Sequence, residues 1–282
     1  MIIFPNAKIN LGLSVTEKRP DGFHNIETVF YPVPLRDILE IVPAKNKSIQ
    51  FKSTGLKIPG NQENNLVLKA CKALQQDFQL PGMNIHLHKV IPMGAGLGGG
   101  SSNAAFAIKL VDKIFELNLS EEQMIKYAMP IGADCSFFIK NKAVFASQKG
   151  DVFEDIDLDL LGKYILIVKP NLHINTAEAY SGVTPFPKLI SIKELIQNDL
   201  SDWNEVLKND FEKSIFLKHP EIGQIKDSLL DLGAVYAAMS GSGSALFGIF
   251  DSEPECFRTK WSPNFWRGGL KKRNVGNPPK RV

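Results

Sequence analysis

The chain has 282 residues, with 33 Lys+Arg against 30 Asp+Glu, a formal net charge of +3, and 44% hydrophobic residues. That is the composition of an ordinary globular chain, long enough for one large or two modest cores, and it excludes a mini-protein that depends on disulfides or metal. No apolar run approaches the roughly 18 residues of a membrane span, and Ile2, Ile3 and Phe4 are cut off by Pro5 and Asn6 with no basic segment ahead, so neither insertion nor export is expected.

Over residues 7–15, Ile9, Leu11, Leu13 and Val15 alternate with Lys8, Asn10, Gly12 and Ser14, the period of a half-buried strand. Lys8 and Asn10 therefore share a face. Arg19-Pro20-Asp21-Gly22 is strong turn chemistry, and a second strand through Thr28, Val29, Phe30 and Tyr31 makes a hairpin. Between Asn65 and Phe78, Leu66, Val67, Ala70, Cys71 and Leu74 recur at helical spacing, ended by Pro81-Gly82. Met83, Ile85 and Leu87 then alternate as a strand, and after a glycine-rich run Ala104, Ile108, Val111 and Phe115 return to helical period. Ser120 and Gln123 form a capping box for a helix that stops near Pro130. The turn Lys149-Gly150-Asp151 closes this half.

A second half starting near Asp155 holds a buried strand over residues 164–168 and a helix over 221–232. Strands over 234–239 and 245–250 flank the loop Ser240-Gly241-Ser242-Gly243-Ser244. Mixed α+β architecture in two packed lobes is the expectation. Cys71, Cys135 and Cys256 are odd in number and match no zinc spacing, which points to a reduced, cytoplasmic protein. His86 and His88 share a strand face without a third ligand, so a solvated face is favoured over a metal site.

The most informative stretch is Pro92-Met93-Gly94-Ala95-Gly96-Leu97-Gly98-Gly99-Gly100-Ser101-Ser102, with five glycines in seven positions immediately before a helix. Glycine lets the backbone adopt positive φ and approach a ligand closely. The amides of such a loop and of the helix start suit a polyphosphate, with Ser101 and Ser102 placed to meet a phosphate or its Mg²⁺. A plain linker does not sit between a strand and an amphipathic helix. Gly94-x-Gly96-x-x-Gly99 satisfies a dinucleotide fingerprint on paper, yet the strand before it alternates and lies late in the chain. A P-loop fails because Gly100 stands where its lysine is needed.

This run resembles the second motif of the GHMP kinases, the galactokinase, homoserine, mevalonate and phosphomevalonate kinase superfamily. Four further segments extend the resemblance over roughly residues 5–250: Ala7-Lys8-Ile9-Asn10-Leu11, Arg19-Pro20-Asp21-Gly22-Phe23-His24, Ile131-Gly132-Ala133-Asp134 and Met239 through the Ser-Gly loop to Ala245. Among GHMP kinases the match is nearest to the branch acting on a cytidine diphosphate methylerythritol. The resemblance implies a two-lobed GHMP kinase fold, with a ribosomal-S5-domain-2-like lobe over 1–154 and an α/β lobe over 155–255. It implies transfer of the γ-phosphoryl group of ATP, accompanied by Mg²⁺, to the 2-hydroxyl of the erythritol moiety, in isoprenoid precursor synthesis.

In that family pattern Asp134 is the base and Lys8 its charged partner, offsetting charge that develops on the phosphoryl oxygens. Read alone, Asp134 is also a helix N-cap candidate, which is compatible with facing a site. Asn10, beside Lys8, fits a polar contact to substrate. Phe23 stacks on the cytosine, His24 hydrogen-bonds its edge and Tyr180 closes the other side; stacking tolerates any base, so discrimination falls to His24. Adenine lies near Asn65 and Leu66, Pro92 to Ser102 hold the ATP phosphates, and the later loop, with Ser240 and Gly241, closes over the substrate. The expected partner is this small molecule, with no membrane and no nucleic acid, in a monomer or weak homodimer. Cys135-Ser136 departs from the Val or Ile and Pro of many members, without moving the carboxylate.

Residues 256–282 carry eight basic and no acidic residues, leaving 25 basic and 30 acidic in the body. The positive total belongs to this tail, which holds Trp261 and Trp266, lies outside the resemblance and is expected to affect stability or solubility. Two other readings stay open. One is a GHMP kinase for homoserine or mevalonate, against which residues 19–24 speak. The other is nucleic-acid binding through Lys271-Lys272-Arg273, which explains neither glycine loop.

Overall fold

The computed structural model describes residues 1–254 and the backbone of residues 265–269. In chain order, β1 (Ile2–Ile3) leads into the hairpin of β2 (Asn6–Lys18) and β3 (His24–Arg36), followed by β4 (Ile38–Pro43) and β5 (Ile49–Gly55). Next come α1 (Leu66–Asp77), β6 (Met83–Lys89), α2 (Gly99–Phe115), α3 (Glu121–Ala128) and α4 (Cys135–Lys140). The strands β7 (Val144–Ser147), β8 (Val152–Asp155) and β9 (Tyr164–Val168) precede α5 (Thr176–Ser181), α6 (Ile192–Leu195), α7 (Trp203–Val206), α8 (Glu212–Lys218) and α9 (Pro220–Asp231). The chain then forms β10 (Tyr236–Met239), β11 (Leu246–Phe250) and β12 (Phe265–Gly269).

Three four-stranded sheets result, in the orders β1-β4-β6-β5, β2-β3-β7-β8 and β10-β11-β9-β12. The apolar stripes of α1 and α2 bury Val67, Cys71, Leu74, Ile108 and Val111 against Ile41, Ile85 and Leu87 of the first sheet. A second cluster joins Ala7, Ile9 and Leu11 of β2 to Ile165, Ile167 and Phe247, so the long hairpin is shared by both lobes. The signals at the helix ends act as expected. The Asn65 side chain accepts the Val67 amide at 2.9 Å, and Ser120 and Gln123 form a reciprocal capping box.

The strand bearing Lys8 departs from the expected single apolar face. Pairing runs from Leu11 opposite Val29 directly to Leu13 opposite Thr28, leaving Gly12 as an extra residue at φ +65°. One extra residue reverses which way every later side chain points. Ile9 and Leu11 thus face one cluster, while Leu13 and Val15 pack in another on the same side as Lys8 and Asn10. Nor is the strand half-buried: residues 6–15 are buried on both faces, because the polar face is covered by the loop after β10.

Within the tail, Phe265–Gly269 adds an edge strand antiparallel to β9, an element that the residue pattern does not announce. The basic run 271–273, Trp261, Cys256 and the Trp266 side chain lie outside the described residues. Among the described residues no helix is long and apolar enough to cross a membrane.

Candidate active site

The glycine run ends β6 and opens α2. Gly94, Gly96 and Gly98 all have positive φ. At Gly96 a Cβ would lie 1.8 Å from the Ser240 carbonyl oxygen, so only glycine admits the second loop there. Three consecutive carbonyls dock the run inward: Ala95 accepts from the Ala245 amide (3.2 Å), Leu97 from the Lys8 amide (3.0 Å) and Gly96 from the Ser240 hydroxyl (2.9 Å). Among the described residues, nothing takes the amides of residues 94–101. Gly98 is the left-handed N-cap of α2, without a capping side chain and without an acidic residue in the first turn. Unpaired amides at a helix start with no competing carboxylate form an anion site.

The run separates two cavities. One, about 490 Å³, is lined by Lys8, Asn10, Gly94, Gly96, Gly98 and Asp134, and it reaches Lys149, Tyr180 and Gly241. The other, about 340 Å³, is lined by Asn65, Leu66, Lys89, Met93, Gly100 and Asn103. Pro92 starts the run, and the Ala95 and Leu97 side chains are buried in the core, so these positions face ligand through their backbone alone.

In the first cavity the Lys8 Nζ is 3.6 Å from the Asp134 carboxylate, 2.6 Å from Asn10 Oδ1 and 4.7 Å from the centre of the Phe30 ring. Burial pushes the Lys8 ammonium below the usual lysine range, opposed by the neighbouring Asp134. Asp134 stands at the N-cap position of α4 but its side chain makes no capping hydrogen bond. With 32% of its side chain exposed, it turns into the cavity and leaves the helix start.

Two expected substrate contacts have partners within the protein. Asn10 lines the cavity, yet its Oδ1 receives Lys8 and its Nδ2 donates to Thr28 Oγ1 at 3.0 Å, so it orients Lys8. Ser240 is fully buried and its hydroxyl joins Gly96 and Asn10; it fastens the two loops together, while Gly241 alone of the pair lines the cavity. Ser102 is also fully buried, with no hydrogen-bond partner for its hydroxyl, and lines neither cavity. Ser101 is half-buried, with its hydroxyl 3.7 Å from where a Cβ on Gly132 would stand, at the corner that carries Asp134.

At the far end, His24 and Tyr180 stack on each other with ring centres 4.6 Å apart and planes 18° from parallel. Phe23 is 61% exposed and carries the Lys149 ammonium 5.4 Å from its ring centre. The expected pair of Phe23 and Tyr180 is therefore not face to face, since His24 occupies the Tyr180 ring. Partial burial and nearby Lys18 hold the His24 imidazole below its ordinary value, and burial, with Asp134 near, raises the Tyr180 phenol.

Several residues that line or brace the site carry no signal in the sequence. Lys149 lines the substrate-side cavity from a segment that reads only as a turn. Lys89 and Asp37 form a buried ion pair beneath the glycine run. Asn209 donates to the Met239 and Gly241 carbonyls at 2.8 and 2.9 Å, bracing the second loop. None of these stands in a recognisable motif; the 52-residue separation of Asp37 from Lys89 leaves no local signal. His86 and His88 meet at the Thr54 hydroxyl, at 2.9 and 3.0 Å, and among the described residues no group of three or more His, Cys, Asp or Glu is placed to hold a metal.

Residues 65–142 match the family pattern described as GHMP kinases N terminal domain, and residues 191–265 that described as GHMP kinases C terminal. A protein of Bacteroides thetaiotaomicron named 4-diphosphocytidyl-2-C-methyl-D-erythritol kinase is 53% identical over 94% of this chain and 97% of its own length. One of the same name from Cytophaga hutchinsonii is 51% identical over 93% and 97%. A crystal structure of 4-(cytidine 5'-diphospho)-2C-methyl-D-erythritol kinase superposes with a TM-score of 0.77 at 30% identity, covering 88% of this chain and 90% of that one. The mevalonate kinase of Methanococcus jannaschii shares the fold, with a TM-score of 0.66 at 17% identity over 89% and 90%.

Proposed function

Since the chain belongs to the GHMP kinases, and within them to the 4-diphosphocytidyl-2-C-methyl-D-erythritol kinases, we propose that the cleft between its two glycine loops is where it phosphorylates that alcohol from ATP. The observation that carries this reading is the Lys8–Asp134 pair, 3.6 Å apart, beside unpaired amides at the start of α2. The enzyme is a small-molecule kinase with ATP as co-substrate. The 2-hydroxyl oxygen of the erythritol moiety attacks the γ-phosphorus, the bond to the ADP oxygen breaks, and the hydroxyl proton passes to Asp134. Lys8, oriented by Asn10, offsets charge developing on the phosphoryl oxygens.

Mg²⁺ arriving with ATP would be held mainly by the nucleotide's phosphates and water, with Asp134 and the Ser101 hydroxyl as neighbouring oxygen donors. This fits a hard cation that uses few protein ligands. Adenine would lie against Asn65 and Leu66, and the phosphates against the amides of residues 94–101. Lys149, lining the same cavity as Lys8, supplies a second cation suited to a diphosphate-linked substrate. The cytosine would enter between Phe23 and Tyr180 once His24 leaves the Tyr180 ring, with His24 then reading the base edge. Residues 1–154 and 155–255 are read as the two lobes. A monomer or weak homodimer is part of the same reading, and the buried free thiols of Cys71 and Cys135 suit the cytoplasm.

The test is purified protein with ATP, Mg²⁺ and the cytidyl substrate, monitored by ³¹P NMR. A new phosphomonoester is expected; phosphorylated homoserine or mevalonate in its place would sink the assignment.

A further inference from the structure

The glycines of the run have no side chains with which to hold its shape, so its geometry depends on what the rest of the run is tied to. The carboxylate of Asp37, fully buried at the corner between β3 and β4, receives four donors. They are the Val90 amide at 2.7 Å, the Ile91 amide at 2.8 Å, the Asn103 side-chain amide at 2.8 Å and the Lys89 ammonium. Val90 and Ile91 are where the chain leaves β6 and enters the run; Asn103 lies in α2, just beyond the run's exit. The middle of the run is held by the bonds to its Ala95, Gly96 and Leu97 carbonyls, and both of its ends are tied to one carboxylate on a third element.

We infer that Asp37 is a positioning residue for nucleotide binding, fixing the entry and exit of the glycine run and aiming the Lys89 ammonium at the nucleotide side. Lys89 is 1% exposed, yet it lines the smaller cavity together with Asn65, Gly100 and Asn103. Its Nζ lies 2.8 Å from the point a Cβ on Gly99 would occupy, at the first turn of α2. A cation held under unpaired helix-start amides adds to their attraction for a polyphosphate. The Asp37 cluster contributes no side chain to the cavity that holds Lys8, Asp134 and Tyr180. Gly94, Gly96 and Gly98 of the run do line that cavity, but the side chains of the cluster, Lys89 and Asn103, meet the ATP side, so the larger effect falls on ATP. A merely structural carboxylate would weaken both together.

The inference rests on the assignment of the smaller cavity and the glycine run to ATP, and the two are separable by experiment. In the wild-type protein, ATP should slow amide hydrogen exchange over residues 90–103; absence of that protection fails the assignment of the cavity. Asp37→Asn keeps the size and an acceptor oxygen but removes the charge that holds Lys89. Folded D37N is expected to raise the KM for ATP and its Kd by calorimetry about tenfold or more, with the KM for the cytidyl substrate within about twofold of wild type. Unchanged nucleotide affinity, or an equal rise in both KM values, overturns the inference. If D37N does not fold, Asn103→Ala removes one of the four donors and should raise the KM for ATP about threefold while sparing the other. No such split in N103A overturns it equally.

Discussion

The two glycine loops are similar in composition and opposite in use. The run after β6 passes its carbonyls inward, at Ala95, Gly96 and Leu97, and leaves its amides outward at the start of a 17-residue helix. The Ser-Gly loop after β10 joins two antiparallel strands, closes on itself through Ser240 N to the Ala245 carbonyl (2.8 Å) and Gly243 N to Ser240 (3.0 Å), and turns the Ser240 hydroxyl and the Ala245 amide onto the first run. Its carbonyls at Met239 and Gly241 are taken by Asn209. The difference lies in the element into which each loop leads. A helix leaves its first amides without partners, whereas a strand pair brings the two ends of its connecting loop together. The first loop turns free amides out at a helix start, and the second packs onto the first through Ser240 and Ala245.

The sharpest way to break this division is at the carboxylate between the loops. Asp134→Asn should lower turnover by roughly 100-fold or more while nucleotide affinity, assigned to the first loop, stays unchanged. Loss of ATP binding in that variant, measured by calorimetry, would show that the amides do not suffice.

The contact of the two loops gives the next effect. Gly96→Ala drives a Cβ to 1.8 Å from the Ser240 carbonyl at φ +75°, and should cost about 2–4 kcal/mol in thermal unfolding. Gly22→Ala, at φ +84° with open space around it, should cost only about 1 kcal/mol. Equal losses would mean that the loop contact contributes nothing beyond φ. Asn209→Ala withdraws the brace of the second loop alone. It should cost about 1–3 kcal/mol and raise the KM for the cytidyl substrate, with that for ATP unchanged.

His24→Ala should raise the substrate KM more than the ATP KM, and the opposite ranking would refute the base-edge role. Because the His24 imidazole is held below 6.5, it is neutral at pH 7, and the acid-side change in substrate KM should fall below pH 6.5.

The smallest effect is a shift of a pH limb. Lys8 loses its proton below the ordinary 10.5, so turnover should decline on the basic side before that pH, and Lys8→Arg should move the limb upward. The unfolded chain keeps this proton up to about 10.5, so unfolded protein binds more protons between the lowered value and 10.5. In that window Lys8 makes stability rise with pH.

Much of the fold is legible locally. Alternation, helical spacing, the Pro-Asp-Gly turn and the caps at Asn65 and Ser120 place most elements, because each signal acts within a few residues. The glycine run, Lys8, Asp134, Asn65 and Leu66 are legible too, by their motifs, and they line the two cavities. The bulge at Gly12 is not legible: a single glycine in an alternating strand looks like any other solvent-side residue until its partner strand is in place. The apparent continuity of Ile9, Leu11, Leu13 and Val15 therefore misstates which of them face the site.

The same reason separates the ligand-facing polar residues from the bracing ones. Residue type and motif spacing, which are properties of the chain, determined that this protein carries a glycine run before a helix, and a lysine and a carboxylate in the motifs of a GHMP kinase. Only the tertiary structure decided that Asn10 bonds Lys8 and Thr28 at the cavity wall, that Ser240 points at protein and that Ser102 is sealed. It likewise decided that Asp37 and Asn209 hold the two loops in shape. The contacts of Ser240, Asp37 and Asn209 join donors and acceptors 30 to 144 residues apart, and a buried polar group takes whatever partner packing brings to it.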